Sequence, residues 1–442
     1  MNLILRRLRW VGAANTSASA IAYTIISRIG VLAINVATGI LIARTLGPAN
    51  RGAASAVTLW PVAISALLSL GIPVALRYYV PRRPEDAREL FSVALIIGTF
   101  LGFVAVVAGL LFLPHWLKNY SEPVVRFAQA MMFFAPLISV NTLVRAFLES
   151  QGEFTHSNSM VYLPTAATLV SLLVLFKFKA LTAFSVPLAY EVPFSCVTVV
   201  SLYRVRRFIH VPFGFIRRSK LLLHFGSRAY GLDIISTLSA QLGQVIVIGL
   251  LSAGSFGLFT VAANASGVAA LIGGSLNTVL FPKAAELETD QAIELVNRSA
   301  RLIFATNIIV GTLLILAMPV LIGLTYGSQY TAVIALTQVL TCDVIFGATI
   351  GTLTQAFMAT GRPGLVTVFQ VVALCTTFPL MLVLIPKFGL MGVGYAALLS
   401  TALRLILVLG SYPVFLKHRI PGLLLTSQDM LDIRARVTRA LS

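Results

Sequence analysis

The stretch YRVRRFIHVPFGFIRRSKLLLHFGSRAY, Tyr203 to Tyr230, lies close to the middle of the chain and carries Arg204, Arg206, Arg207, Arg217, Arg218, Lys220 and Arg228 with no acidic residue. On both sides of it the chain is built from apolar segments long enough for a helix to cross a bilayer. Such a basic island reads as a cytoplasmic hinge, because Lys and Arg in short loops are retained on the side of the anionic inner leaflet. It divides the chain into an N-terminal bundle at 1–203, a linker at 204–230, a C-terminal bundle at 231–415 and a cytoplasmic tail at 416–442.

Composition supports an integral membrane protein. Of 442 residues, 58% are hydrophobic and 11% charged, with a mean hydropathy of +0.92, against roughly 25% charged residues in an average soluble domain. The net charge of +18 would point to nucleic acid in a soluble protein. Here most of it sits in short loops and no aromatic pattern of an RNA module accompanies it, so no nucleic-acid partner is expected. Cys196, Cys342 and Cys375 lie in apolar segments without paired spacing, and the five histidines are scattered at loops and helix ends. No disulfide framework, metal site or cofactor is expected. The chain also lacks a GxxxxGK[ST] phosphate loop, so it does not itself hydrolyse ATP.

The apolar runs predict an all-α protein with about twelve membrane helices, near 18–43, 53–76, 90–113, 127–148, 158–176, 183–203, 231–252, 257–281, 300–325, 330–357, 364–386 and 390–415. A β-barrel is excluded, since barrel strands alternate in short segments and these runs are continuously apolar. With the N-terminus inside, inner segments outnumber outer ones in Lys and Arg by about three to one, which puts both termini in the cytoplasm. The halves also resemble each other: AFLESQGEF (146–154) matches AFMATGRPG (356–364), and LGPANRGAASAVT (46–58) matches LSAGSFGLFTVAA (251–263), at an offset of about 205–210 residues. Six spans per repeat give a parallel repeat about an axis along the membrane normal, an arrangement common among alternating-access transporters.

At ARTLGPANRG (43–52) the sequence resembles the first periplasmic turn of bacterial polysaccharide-unit flippases, members of the multidrug/oligosaccharidyl-lipid/polysaccharide exporter superfamily. GSFGLFTVAAN (254–264), LFPKAAEL (280–287), LTYGSQYTAV (324–333), ATGRPGL (359–365) and IPKFGLMGVGYA (385–396) extend the resemblance in order over nearly the whole chain. Read from the residues alone these pieces are architectural: Gly47-Pro48 stops a helix, and the glycines mark turns or close helix approaches. The resemblance implies two six-helix bundles, MATE-like, around a central cavity that opens alternately to each side. It implies transport of an undecaprenyl-diphosphate-linked oligosaccharide across the bacterial cytoplasmic (inner) membrane for O-antigen, capsule or exopolysaccharide assembly. The partners it implies are that lipid-linked substrate, membrane lipids, a coupling proton or sodium ion, and polysaccharide polymerase and export proteins.

Apart from Arg301 at the very start of the ninth, six ionisable residues fall inside the predicted spans: Arg28, Arg145, Glu191, Asp233, Asp343 and Arg404. At roughly 2.5–3.5 kcal/mol each to insert, such residues persist where they face a cavity or one another. Arg28 resembles an arginine that lines the cavity of the related lipid II flippases, whereas a second arginine those proteins carry six residues later is here Ile34. Arg28, Arg145 and Arg404 are candidates for a diphosphate or sugar acid, since the guanidinium fork suits phosphate oxygens. Asp233, with Gln241 and Gln244, makes the seventh span the most polar and a candidate cavity wall. Glu191 and Asp343 are candidates for the coupling ion. The alternative reading is a structural ion pair for Arg28, Glu191 and Asp343, snorkelling to the cytoplasmic interface for Arg145, and a place on a peripheral helix for Arg404.

The sequence thus reads as a flippase rather than an enzyme. One alternative is a cation-coupled multidrug or metabolite antiporter, which would place acids in the N-terminal bundle. The other is a membrane polysaccharide polymerase or glycosyltransferase, which would display a catalytic group on a large outer loop; the outer loops here are short and the acids scattered.

Overall fold

The computed structural model describes residues 17–269, 280, 284, 286–426 and 429, with backbone alone described at 17–29, 228–234, 236, 237 and 240. Among the described residues the elements are helical: α1 Ser17–Leu67, α2 Ile72–Arg82, α3 Ala87–Trp116, α4 Glu122–Met131, α5 Ala135–Ser150, α6 Phe154–Lys177, α7 Ser185–Val205, α8 Phe215–Leu250, α9 Ala253–Gly267, α10 Thr289–Tyr326, α11 Ile334–Ala359, α12 Pro363–Phe388 and α13 Leu390–Ser411. Nine helices among these residues are long and apolar enough to cross a membrane.

The first of the nine is in fact two. Gly47 interrupts α1 with φ 73° and ψ 173°, and Pro48 restarts it. Within the same element Arg51 Nη1 donates to the Gly39 carbonyl, 12 residues away, at 2.8 Å. Twelve residues of straight helix rise about 18 Å, far beyond an arginine's reach, so the chain folds back at Gly47 as the Gly-Pro signal predicts. Arg51, in the turn expected between the spans 18–43 and 53–76, is buried at 4% exposure. There its guanidinium ties the two arms of the bent helix together. The second expected span is itself broken, because Leu70 (φ 48°) and Gly71 (φ 68°) adopt left-handed backbone and the short α2 starts afresh behind them. The seventh expected span begins earlier than its apolar run, α8 starting at Phe215 inside the basic stretch. The eighth, 257–281, lies partly outside the described residues.

The chain forms two compact units, Met1–Gln241 with Ser252–Gly257, and Leu242–Leu251 with Leu258–Ser442. In the first, α2, α3, α5 and the start of α8 close on a core that includes Leu76, Leu90, Val144 and Leu222, with Phe91 stacked on Phe147 at 4.1 Å. Small residues let the helices approach: a Cβ on Gly102 of α3 would stand 2.5 Å from the Cα of Pro136 in α5. The closest approach joins Gly52 of α1 to the first turn of α9. A Cβ on Gly52 would meet the Ala253 carbonyl and, at 2.7 Å, the Gly257 nitrogen; one on Gly257 would meet the Pro48 carbonyl and, at 2.9 Å, the Gly52 nitrogen. Pro48 is to Ala253 as Gly52 is to Gly257, at the same offset of about 205 residues that relates the two sequence halves. Residues at that offset therefore touch reciprocally within the first unit.

In the second unit α10, α11 and α13 share a core including Val296, Ala300, Leu353 and Phe357. The Tyr412 hydroxyl is buried there and donates to the Leu353 carbonyl at 2.9 Å. Ser400 of α13 meets Thr376 and Thr377 of α12 at 2.9 and 2.6 Å, hydroxyl to hydroxyl. Asp429, of the expected cytoplasmic tail, is fastened to α10, its carboxylate accepting from Arg301 at 2.6 and 3.0 Å and from the Thr426 hydroxyl at 2.7 Å. These hydrogen bonds, led by Arg301, hold the Asp429 carboxyl well below the usual carboxylate range. A depressed folded value stabilises the attachment above the unfolded carboxylate's range, about pH 4, and the benefit fades as pH falls toward the folded value. Asp429→Asn is accordingly expected to speed protease cleavage near residue 426 at neutral pH, and the wild-type chain to approach the variant's cleavage pattern only below about pH 4. Acid-active protease and intact-mass analysis give the readout.

Candidate functional site

A groove of about 400 Å³ opens in the first unit. Four helices supply it: α1 with Asn35, Thr38 and Thr58, α5 with Asn141, Thr142 and Arg145, α6 with Thr165 and Thr168, and α7 with Tyr190 and Glu191. In so apolar a chain, this density of amides and hydroxyls on facing helices marks a lining that does not see lipid. Part of it is fixed by internal contacts. Asn141 Nδ2 donates to Thr198 Oγ1 at 2.8 Å, and the Tyr190 hydroxyl donates to Thr38 Oγ1 at 3.5 Å.

The two charged groups of the lining are held differently. Arg145 Nη2 stands 3.6 Å from Glu149 Oε1, a long contact, and its Nε is buried with no hydrogen-bond partner among the described residues. Glu149 does not depend on it, accepting from Arg77 Nε at 2.7 Å and from the Ser157 hydroxyl at 2.7 Å. Arg145 is therefore a cation with spare donors at the groove wall. Glu191 is buried, at 4% exposure, and no hydrogen bond or ion pair reaches its carboxyl among the described residues.

The other sequence candidates are placed elsewhere or not described. The backbone of Arg28 lies in α1 and that of Asp233 in α8, but both side chains fall outside the described residues. Gln241 and Gln244 are half-buried on α8 and do not line this groove. Asp343 on α11 and Arg404 on α13 belong to the second unit and lie within electrostatic reach of each other, with Thr401 beside the carboxyl. Asp343 Oδ1 and Arg404 Nε are buried and lack hydrogen-bond partners among the described residues. Arg145 and Glu191 are thus brought into one groove and Asp343 and Arg404 to one helix pair. Tyr190, Thr38 and Asn141 were not singled out from sequence; a polar residue on an otherwise apolar span was the available signal.

The sequence profile described as "Polysaccharide biosynthesis protein" matches residues 41–335, more than half of the chain. The chain belongs to the polysaccharide biosynthesis protein family. A search of curated protein sequences returns no match. Among solved structures this family member is similar to the lipid II flippase MurJ in an inward closed conformation, with a TM-score of 0.75, 13% identity, and coverage of 93% of this chain and 90% of that one. It is similar to an inward-facing multidrug resistance MATE transporter of the MOP superfamily, at a TM-score of 0.68, 13% identity and coverage of 89% and 99%. An outward-facing MATE transporter gives 0.58, 15%, 88% and 93%. At such identities the likeness establishes the fold alone, an all-α multi-pass membrane architecture with about twelve spans. For a polysaccharide biosynthesis protein on this fold, the groove offers one guanidinium, one carboxyl and a neutral polar wall. That set has the donor and acceptor chemistry to hold a polar or anionic ligand.

Proposed function

We propose that the protein is a flippase carrying undecaprenyl-diphosphate-linked oligosaccharide units across the bacterial cytoplasmic membrane by alternating access, without covalent chemistry. One observation carries the reading: Arg145 presents unpaired donors to a groove walled by Thr, Asn and Tyr side chains. A diphosphate suits the guanidinium fork, and the hydroxyls and amides suit sugar, while the isoprenoid tail has no need to leave lipid. Arg28 on α1 remains a proposed second anion contact, Arg404, Asp233, Gln241 and Gln244 further cavity contacts, and Glu191 and Asp343 the carriers of a coupling proton or sodium ion. Both termini are proposed to face the cytoplasm, on the Lys and Arg bias of the loops.

A second reading, a cation-coupled antiporter, is favoured by the unpartnered Glu191 in the same groove, since a buried carboxylate attracts an organic cation. Deleting the gene separates the two. The flippase reading expects undecaprenyl-linked oligosaccharide to accumulate facing the cytoplasm while surface glycan disappears. Normal glycan with new sensitivity to cationic dyes would replace it with the antiporter.

A further inference from the structure

A second cavity of the first unit, about 1020 Å³, lies where the start of α8 meets the α2–α3 turn. Arg83, Arg217, Arg218 and Lys220 line it against one acid, Asp86, over a floor that includes Leu70 and Leu221. Its walls are fixed. Arg218 Nη2 donates to Asp86 Oδ1 at 2.7 Å, and Glu89 accepts from the Phe213 backbone nitrogen at 2.9 Å and from His210 Nε2 at 2.8 Å. The two carboxylates at the head of α3 thus clamp the linker, and Arg218 is neutralised in doing so. Arg83, Arg217 and Lys220 make no ion pair among the described residues, and Arg218 Nε is buried without a hydrogen-bond partner. An excess of three cations around an orphaned donor is a site for phosphate oxygens.

The linker beside the cavity says where that phosphate is carried. Gly214 turns with φ +62°, and the residues around it leave Val211 86%, Phe213 82% and Ile216 70% exposed. Apolar side chains this open, flanked by Arg217 and Lys220, are the pattern of a segment seated in the headgroup region of a bilayer. The geometry points to a binding site for the phosphate of a membrane lipid, Arg83, Arg217 and Lys220 holding its oxygens, Leu70 and Leu221 its first methylenes, and Val211, Phe213 and Ile216 entering the surrounding lipid. The site is distinct from the Arg145 groove and does not depend on the cargo proposed for it.

The full chain, purified in a zwitterionic detergent and examined by native mass spectrometry, tests this with three probes: phosphatidylglycerol, farnesyl diphosphate and inorganic diphosphate. The triple variant Arg83→Gln/Arg217→Gln/Lys220→Gln is expected to lose lipid affinity by on the order of 100-fold. Arg206→Gln/Arg207→Gln, which removes linker cations outside the cavity, should change it less than about threefold. Preference for phosphatidylglycerol identifies bulk anionic lipid as the occupant and preference for farnesyl diphosphate an isoprenoid carrier; either supports the site. Phe213→Ser should weaken both lipids and leave inorganic diphosphate unaffected, and a matching melting temperature for each variant shows that the fold is kept. Equal losses in the triple and control variants, or inorganic diphosphate bound as tightly as the lipids, would overturn the proposal.

Discussion

Gly257→Ala, a change of one methyl group, is expected to lower the melting temperature of the solubilised protein by several degrees and to shrink its monodisperse fraction, and Gly52→Ala to do the same. The new Cβ at 257 would overlap the Pro48 carbonyl and stand 2.9 Å from the Gly52 nitrogen; that at 52 would overlap the Ala253 carbonyl. All of these neighbours are backbone, so no rotamer change relieves the clash and the helices must part. Overpacking of well-packed contacts costs about 1–3 kcal/mol, occasionally more, and here separation also opens the adjoining contacts of α9. Gly254, on the same turn, is the control: its Cβ would meet only Ser252 Oγ at 3.9 Å, so Gly254→Ala should be silent or mildly stabilising through helix propensity. Fluorescence-detected size exclusion across a temperature series reads all three. If Gly52→Ala and Gly257→Ala melt with wild type, the reciprocal contact is not part of the stable fold.

That contact also marks how far the sequence could be read. Its glycines sit in two segments recognisable as equivalents at a fixed offset, and helix ends were legible wherever Gly-Pro or a charge cluster cut an apolar run. Spans came through because backbone in hydrocarbon must satisfy its own hydrogen bonds, leaving a long helix as the solution for each run. The facing of each helix did not come through. On a soluble protein the polar stripe fixes a helix's rotation, but in lipid the outward and inward faces are both apolar, as the weak periodicity of these helices shows. Arg145 and Glu191 could therefore each be named as buried charges, while nothing in the chain said that α5 and α7 turn them to one groove. Arg51 failed for the opposite reason. It stands among turn residues, and only the fold-back at Gly47 carries it under the Gly39 carbonyl.

Arg145 then becomes the substitution with the most to say about transport. Arg145→Ala is expected to cut export of surface glycan to below about a tenth of wild type with the amount of membrane protein unchanged, since charge-assisted hydrogen bonds contribute about 1.5–3 kcal/mol each. The competing role is that Arg145 merely completes an ion pair, so that its loss unfolds the unit. The geometry opposes this: Glu149 keeps Arg77 and Ser157, both at 2.7 Å, when Arg145 is gone. Removing Arg145 leaves no buried carboxylate stranded, which is the usual origin of large losses when one partner of a buried pair is deleted. Arg145→Lys keeps the charge without the planar fork, and partial export is expected from it. Glu149→Gln sets the comparison, because it removes the carboxylate that Arg77 and Ser157 share and should lower stability more than Arg145→Ala does. Lipid-linked oligosaccharide measured alongside surface glycan, with quantified membrane protein, decides between the two. Accumulated cytoplasmic-facing intermediate at normal protein level places Arg145 in the substrate path; full export from Arg145→Ala, or loss of the protein itself, removes it.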